Sequence, residues 1–186
     1  MALGKSAEQS STFMYYNALL AVDGIKDDNN NWQCTQSSMV ENAAPIQWWK
    51  VKLGETFAIS KIHIFNRAEP HNLVANPYCC GERLNGAIVK IINSGTVKWS
   101  SNPIEATAME FGFDDFYGNS VMDGDEVKIE LNTGNYLHVR EVEVYGYEES
   151  PSSAPSSAPS SAPSTEAFKK ANASGGKKHL CLVLSV

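Results

Sequence analysis

Apolar residues in this chain recur at every second position over short stretches, and each stretch ends within a few residues in a turn signal. That period belongs to strands buried on one face, and no segment sustains the helical period instead. Glu126-Val127-Lys128-Ile129-Glu130-Leu131 alternates without a break and runs into Asn132-Thr133-Gly134-Asn135, after which Val139-Arg140-Glu141-Val142-Glu143-Val144-Tyr145 alternates again. Upstream, Trp48-Trp49-Lys50-Val51-Lys52-Leu53 is an apolar run closed by Gly54, and Ile59-Ser60-Lys61-Ile62-His63-Ile64-Phe65 places Ile62 and Ile64 on one face. Ala87-Ile88-Val89-Lys90-Ile91-Ile92 stops at Asn93-Ser94-Gly95 and Thr96-Val97-Lys98-Trp99 resumes, which predicts a hairpin. Strands this short at such intervals predict an all-β protein, a β-sandwich built as a jelly roll of about eight strands.

A change of composition ends that pattern. Residues 151–164 repeat Pro-Ser-Ser-Ala, which cannot build a core and predicts an extended, polyproline-like spacer. The reading is therefore one folded domain over residues 1–147, followed by a low-complexity Ser/Pro/Ala linker and disordered tail over residues 148–186. Such a spacer is either a plain solvated linker or a carrier of O-linked sugars on secreted or wall-associated proteins; Asn172-Ala173-Ser174 adds an N-glycosylation sequon. Met1-Ala2-Leu3-Gly4-Lys5 shows no charged segment leading into a long apolar stretch, so no signal peptide is visible; the expectation is either an intracellular protein or a fragment beginning at a domain edge.

Charge excludes a further class. The chain carries 15 Lys and Arg against 21 Asp and Glu, and four of those lysines with one of the acids lie beyond residue 150, leaving 11 against 20 in residues 1–150. No basic face is available to neutralise a phosphate backbone, so nucleic acid is not an expected partner. The apolar stretch at residues 180–186 falls well short of the roughly 20 residues that span a bilayer, so no membrane helix is expected.

Catalytic signatures are missing from the string. His63 alternates within a predicted strand, His71 lies in a proline-bounded loop, His138 precedes the last strand and His179 lies in the tail; none accompanies a nucleophile motif. There is no Gly-x-Ser-x-Gly, no His-Glu-x-x-His and no glycine-rich phosphate loop, and Asp114-Asp115 reads as solvated loop charge. The expectation is a protein that is not an enzyme.

The informative stretch is Asn66-Arg67-Ala68-Glu69 followed by Cys79-Cys80-Gly81-Glu82-Arg83-Leu84-Asn85-Gly86. Adjacent cysteines can close an eight-membered ring whose flat, apolar disulfide face no ordinary side chain supplies. Beside Arg67 and Arg83, which carry donors and no acceptor, such a face suits a polyhydroxylated ring. The alternatives for the pair are reduced structural thiols, or half of a metal site with Cys34 and His71, although zinc ligands are rarely adjacent.

Taken in order, the opening Ala2-Leu3-Gly4-Lys5-Ser6-Ala7-Glu8-Gln9-Ser10-Ser11, then Ala21-Val22-Asp23-Gly24, Trp48-Trp49-Lys50-Val51-Lys52-Leu53-Gly54, Cys79-Cys80-Gly81-Glu82-Arg83-Leu84 and Glu141-Val142-Glu143-Val144-Tyr145-Gly146 resemble the F-type lectins. These are the fucolectin group within the discoidin-like, galactose-binding-like sandwiches. The resemblance implies calcium-associated binding of fucose or a related sugar without catalysis. Arg67 and Arg83 would hydrogen-bond sugar oxygens and a Cys79–Cys80 disulfide would pack on the ring. Gln36 stands after Cys34-Thr35, where the family carries histidine, and its amide would orient a further hydroxyl. The resemblance also implies a structural calcium held by Asp23 and Glu141 with the carbonyls of Leu20, Ile25, Gln33 and Arg140.

Three departures from the family stand out. Nine extra residues, Pro70, His71 and Pro77 among them, separate Arg67 from the cysteine pair. Arg140 occupies the place of a cysteine that ordinarily pairs with the one at Cys34, which leaves Cys34 without that partner. Gln36 replaces an imidazole, which puts the identity of the sugar in question. The implied partners are glycans or glycoproteins, bound tightly only through oligomers or repeated domains, and the implied location is extracellular or cell-wall associated. Two other readings compete: a discoidin-like adhesion module that binds a protein or lipid, and a glycan-targeting module cut from a larger secreted enzyme. Tyr15, Tyr16 and Trp32 are candidate aromatic walls, and Trp48, Trp49 and Trp99 are expected in the core.

Overall fold

A computed structural model describes residues 1–26, 35–36, 46–67, 81–106, 108–132 and 134–148, with residues 35–36 as backbone only. These lie in the unit Met1–Glu148. The linker and tail with Cys181, and Trp32, Gln33, Cys34, His71, Cys79 and Cys80, lie outside the described residues.

Among the described residues there are nine strands: β1 (Ala7–Gln9), β2 (Thr35–Gln36), β3 (Gln47–Phe65), β4 (Ile88–Asn93), β5 (Thr96–Ser100), β6 (Glu110–Phe113), β7 (Met122–Leu131), β8 (His138–Val139) and β9 (Glu141–Glu148). The only helical turns among them are two short 3-10 segments, Ala18–Ala21 and Gly81–Leu84. All the pairings are antiparallel, and the arrangement is the expected β-sandwich.

The 19-residue β3 organises both layers. Its first half lies between β1 and β7 in the order β1-β3-β7-β4-β5, with Trp49 opposite Ile129 and Val51 opposite Val127. Its second half is flanked by β9 and β6, with Ile64 opposite Val142 on one side and Phe111 on the other. Between the halves the register against β7 slips between Lys52 and Phe57, and such a slip bends a strand out of one layer and into the next. Gly54 makes the bend possible at a φ of 97°, which a side chain would oppose. The sequence reading placed two strands here with Gly54 as the stop; the structure runs one strand through it, because each half finds its own hydrogen-bonding neighbours.

The predicted hairpin forms as β4 and β5, turning at Ser94 (φ 50°) and Gly95 (φ 75°). Two successive positive φ values define the tight turn whose twist matches antiparallel strands. The last alternating stretch, in contrast, is split at Arg140: Val139 pairs with Thr35 in the separate β2–β8 ladder, whereas Glu141 pairs with Phe65 of β3. The chain changes partner there, and the Arg140 N–H donates to the Phe65 carbonyl at 3.0 Å.

The core gathers Trp49, Val51, Leu53, Ile59, Ile62, Ile64, Val89, Ile91, Val127, Ile129 and Leu131 from facing strands. Trp49 is buried and its indole N–H donates to the Ala18 carbonyl at 2.9 Å. Trp99 packs edge-on against Phe116 at 5.1 Å. Trp48 departs from the expectation: it is the alternate residue on β3, half-buried on the outer face under the ammonium groups of Lys50 and Lys128, 5.6 and 5.3 Å from its ring.

Candidate functional site

The C-terminal end of β3 delivers Arg67. Asn66, buried just before it, fastens this end to the 3-10 turn Gly81–Leu84: its amide donates to the Gly81 carbonyl at 3.0 Å and its carbonyl oxygen accepts from the Arg67 N–H at 2.8 Å. Gly81 is tightly fitted against this strand end, since a Cβ there would come within 3.2 Å of the Arg67 carbonyl oxygen. Leu84, fully buried, anchors the other end of the turn. The turn in between presents Arg83.

Both arginines converge on one imidazole. The Nη1 of Arg67 lies 2.9 Å from Nδ1 of His138, and the Nη1 of Arg83 lies 3.1 Å from Nε2 of the same ring. His138 is fully buried on β8, Arg67 is buried as well, and Arg83 is half-buried. Arg83 also lies over the ring of Tyr136 at 4.8 Å, so its guanidinium is held between an aromatic face and an imidazole. Burial and the two guanidinium charges push the His138 pKa down to about 2, so the ring is neutral. Two fixed donor forks on an otherwise acidic domain, with a neutral ring between them, favour a ligand rich in acceptor oxygens.

Sequence reasoning brought Arg67 and Arg83 forward, and the structure places them together. It missed His138, which the string shows only as a residue ahead of a strand, and Tyr136. Gln36 and His138 are direct partners in the β2–β8 ladder, but that pairing joins segments about a hundred residues apart and no local pattern announces it. Of the other candidates, Gln36 is described as backbone alone, and Cys79 and Cys80 lie outside the described residues. Tyr16 is buried and stacks on Phe13, with ring centroids 6.4 Å apart, whereas Tyr15 is exposed.

A second cluster lies at the start of β9. Glu141 is buried, and its Oε2 has no hydrogen-bond partner. Burial, reinforced by the neighbouring charges of Asp23 and Glu143, pushes its pKa up to about 8 against the opposing hydrogen bonds from the Gly24 and Asp23 backbone N–H groups. Burial also raises the Asp23 carboxyl, whose Oδ1 accepts from the Ile25 N–H at 2.9 Å. An orphaned buried carboxylate oxygen beside a second carboxylate fits a hard cation. Among the described residues no group of three or more His, Cys, Asp or Glu side chains is placed to hold a metal, so a cation here depends on carbonyl oxygens for most of its ligands. Leu20, Ile25 and Arg140 are the described residues whose carbonyls the sequence assigned to it; Gln33 lies outside.

Comparison with known proteins identifies the family. The family described as NedA-like, galactose-binding domain matches residues 20–121. Fucolectin-5 of Anguilla japonica is 32% identical over 128 residues, covering 67% of this chain and 61% of that protein. Fucolectin of Anguilla anguilla is 31% identical over 128 residues, covering 67% of this chain and 73% of its own. Among solved structures, the Streptococcus pneumoniae fucose binding module SpX-3 superposes with a TM-score of 0.64 at 27% identity, covering 79% of this chain and 97% of that one. With the sandwich and the matched segments in agreement, the chain belongs to the F-type lectins within the galactose-binding-like domains.

Proposed function

We propose that this domain binds a carbohydrate, fucose or a closely related sugar, in the pocket where Arg67 and Arg83 converge. The observation that carries the reading is that convergence: two guanidiniums meet on His138 from separate elements whose backbones Asn66 ties together, with Tyr136 lining one side. Each guanidinium presents donors in a fixed plane, which suits the ring oxygen and hydroxyls of a pyranose. The burial of Arg67 and His138 keeps competing water from the inner wall. In this reading Cys79 and Cys80, oxidised to a disulfide, supply the apolar plate against which one sugar face packs, and Gln36 orients a further hydroxyl. The names of the matched fucolectins and of the fucose binding module support the choice of sugar.

Calcium belongs to the same proposal. Asp23 and Glu141 would hold it with the carbonyls of Leu20, Ile25, Gln33 and Arg140, and it would supply the positive charge that the buried Glu141 carboxylate lacks. A glycan that meets one small pocket binds modestly, so tight attachment calls for several copies of the domain acting together, on extracellular glycans or glycoproteins.

A glycan array probed with oxidised protein, with and without calcium, tests the reading. Signal on fucosylated or galactosylated glycans that disappears in Arg83→Ala is the expected result. An unchanged array in that variant refutes the site. A second reading, an adhesion module for a protein or lipid surface, is favoured by one observation: Phe13, Met14, Tyr15 and Leu19 are exposed close together in sequence. Silence on every sugar with retained adhesion to a protein or lipid would select it.

A further inference from the structure

His138 is held in a contact that its own chemistry cannot complete. A guanidinium donates and never accepts, and both nitrogens of this ring face guanidiniums, at 2.9 Å and 3.1 Å. A protonated ring would have no acceptor for either guanidinium and would bury a third positive charge between two others, so the form that fits this geometry is the neutral one. A neutral imidazole has one lone pair in its plane and one N–H, so only one of the two contacts is a hydrogen bond; the other sets a donor against a donor.

The geometry assigns which is which. Arg67 is the nearer and more deeply buried of the two arginines, so the lone pair belongs to Nδ1, which accepts from Arg67. The proton then sits on Nε2 and faces the half-buried Arg83, on the side that Tyr136 lines. The mismatch lies at the ring edge that faces Arg83, the less buried of the two arginines.

We propose that this edge is the seat of a sugar oxygen, and that the Nε2–H of His138 donates to it together with the guanidinium of Arg83. An oxygen has lone pairs for both donors, so its arrival turns a repulsive contact into two hydrogen bonds, with Arg83 moving outward by the width of one atom. His138 is thereby a specificity-determining residue: it selects a sugar that presents an acceptor oxygen, a ring oxygen or hydroxyl, beside the face that packs on the pocket wall. It also supplies from β8 an imidazole that β2 does not carry, since its direct cross-strand partner is Gln36. The inference rests on the sugar-binding reading of the Arg67 and Arg83 pocket.

Titration of the full chain with methyl α-L-fucoside and with methyl α-D-galactoside, read by calorimetry and by nitrogen-15 imidazole spectra, tests it. Wild-type protein should show a neutral His138 protonated at Nε2, and that nitrogen should shift on addition of the sugar that binds. His138→Leu should weaken binding by about tenfold or more, the effect of one lost hydrogen bond in a dry site, while His138→Gln, which keeps one acceptor and one donor, should recover part of it. If His138→Leu does not fold, the wild-type spectra decide alone: a proton on Nδ1, or an Nε2 resonance that sugar leaves unmoved, overturns the proposal. Loss of binding in Arg83→Ala alongside wild-type affinity in His138→Leu overturns the role of His138 and leaves the pocket standing. Silence of the wild-type protein toward both sugars removes the pocket and this proposal together.

Discussion

Asn66 offers the sharpest test of how the two arginines that converge on His138 are held in register. Its side chain makes two buried hydrogen bonds, donating to the Gly81 carbonyl at 3.0 Å and accepting from the Arg67 N–H at 2.8 Å, with a weaker third to the Ala108 carbonyl at 3.4 Å. Asn66→Ala removes the side-chain partner of both groups, at about 1 to 3 kcal/mol each, so a loss of about 2 to 6 kcal/mol is expected. That is a large fraction of the roughly 5 to 15 kcal/mol that holds a domain folded. The backbone path should survive, since the Asn66 N–H still donates to the Met109 carbonyl at 2.8 Å. Asn66→Asp separates the two bonds: it keeps the acceptor for Arg67 but turns a carboxylate oxygen toward the Gly81 carbonyl, so it should destabilise no less than alanine. Urea unfolding reads the stability, and sugar titration well below the midpoint reads the pocket, where affinity should fall as Arg83 loses its tie to Arg67. A change in unfolding free energy under about 0.5 kcal/mol, the range of an ordinary surface substitution, would refute the reasoning.

Glu141→Gln replaces a buried carboxyl that ionises only above a pKa of about 8 and whose Oε2 has no partner, so above that pH the calcium-free variant should melt higher than wild type while losing any stabilisation by added calcium; equal melting of wild type in calcium and in chelator rules calcium out. At Glu130, burial raises the carboxyl but the hydrogen bonds and charges of Lys128 and Lys90 outweigh it and leave the pKa lowered. Its stabilising contribution is therefore present above the unfolded carboxylate pKa and lost as pH falls through the folded value; Glu130→Gln should flatten that acid limb by no more than about 1 kcal/mol, measured by unfolding between neutral and acid pH. Gly146→Ala would put a Cβ 2.4 Å from the Ala58 carbonyl oxygen, backbone against backbone in the β3–β9 ladder, so a loss of at least about 1 to 3 kcal/mol in urea is expected, and wild-type stability would show that the ladder can part.

Local pattern was enough to announce the strands, because a period of two side chains is written into consecutive residues and needs no partner to be seen. The β4–β5 hairpin was legible for the same reason: Asn93-Ser94-Gly95 is a local turn signal, and Gly95 accepts its positive φ without steric cost. The family was legible from ordered motifs, and Arg67 and Arg83 with it. Tertiary structure alone decided what depends on neighbours distant in the chain. It ran β3 through Gly54, cut the last strand at Arg140, and turned Trp48 outward beneath two lysines. It also set His138 between arginines 71 and 55 residues upstream of it. Hydrogen bonding and burial across such separations are settled when layers close on one another, and nothing in the spacing of adjacent side chains encodes which imidazole will meet which guanidinium.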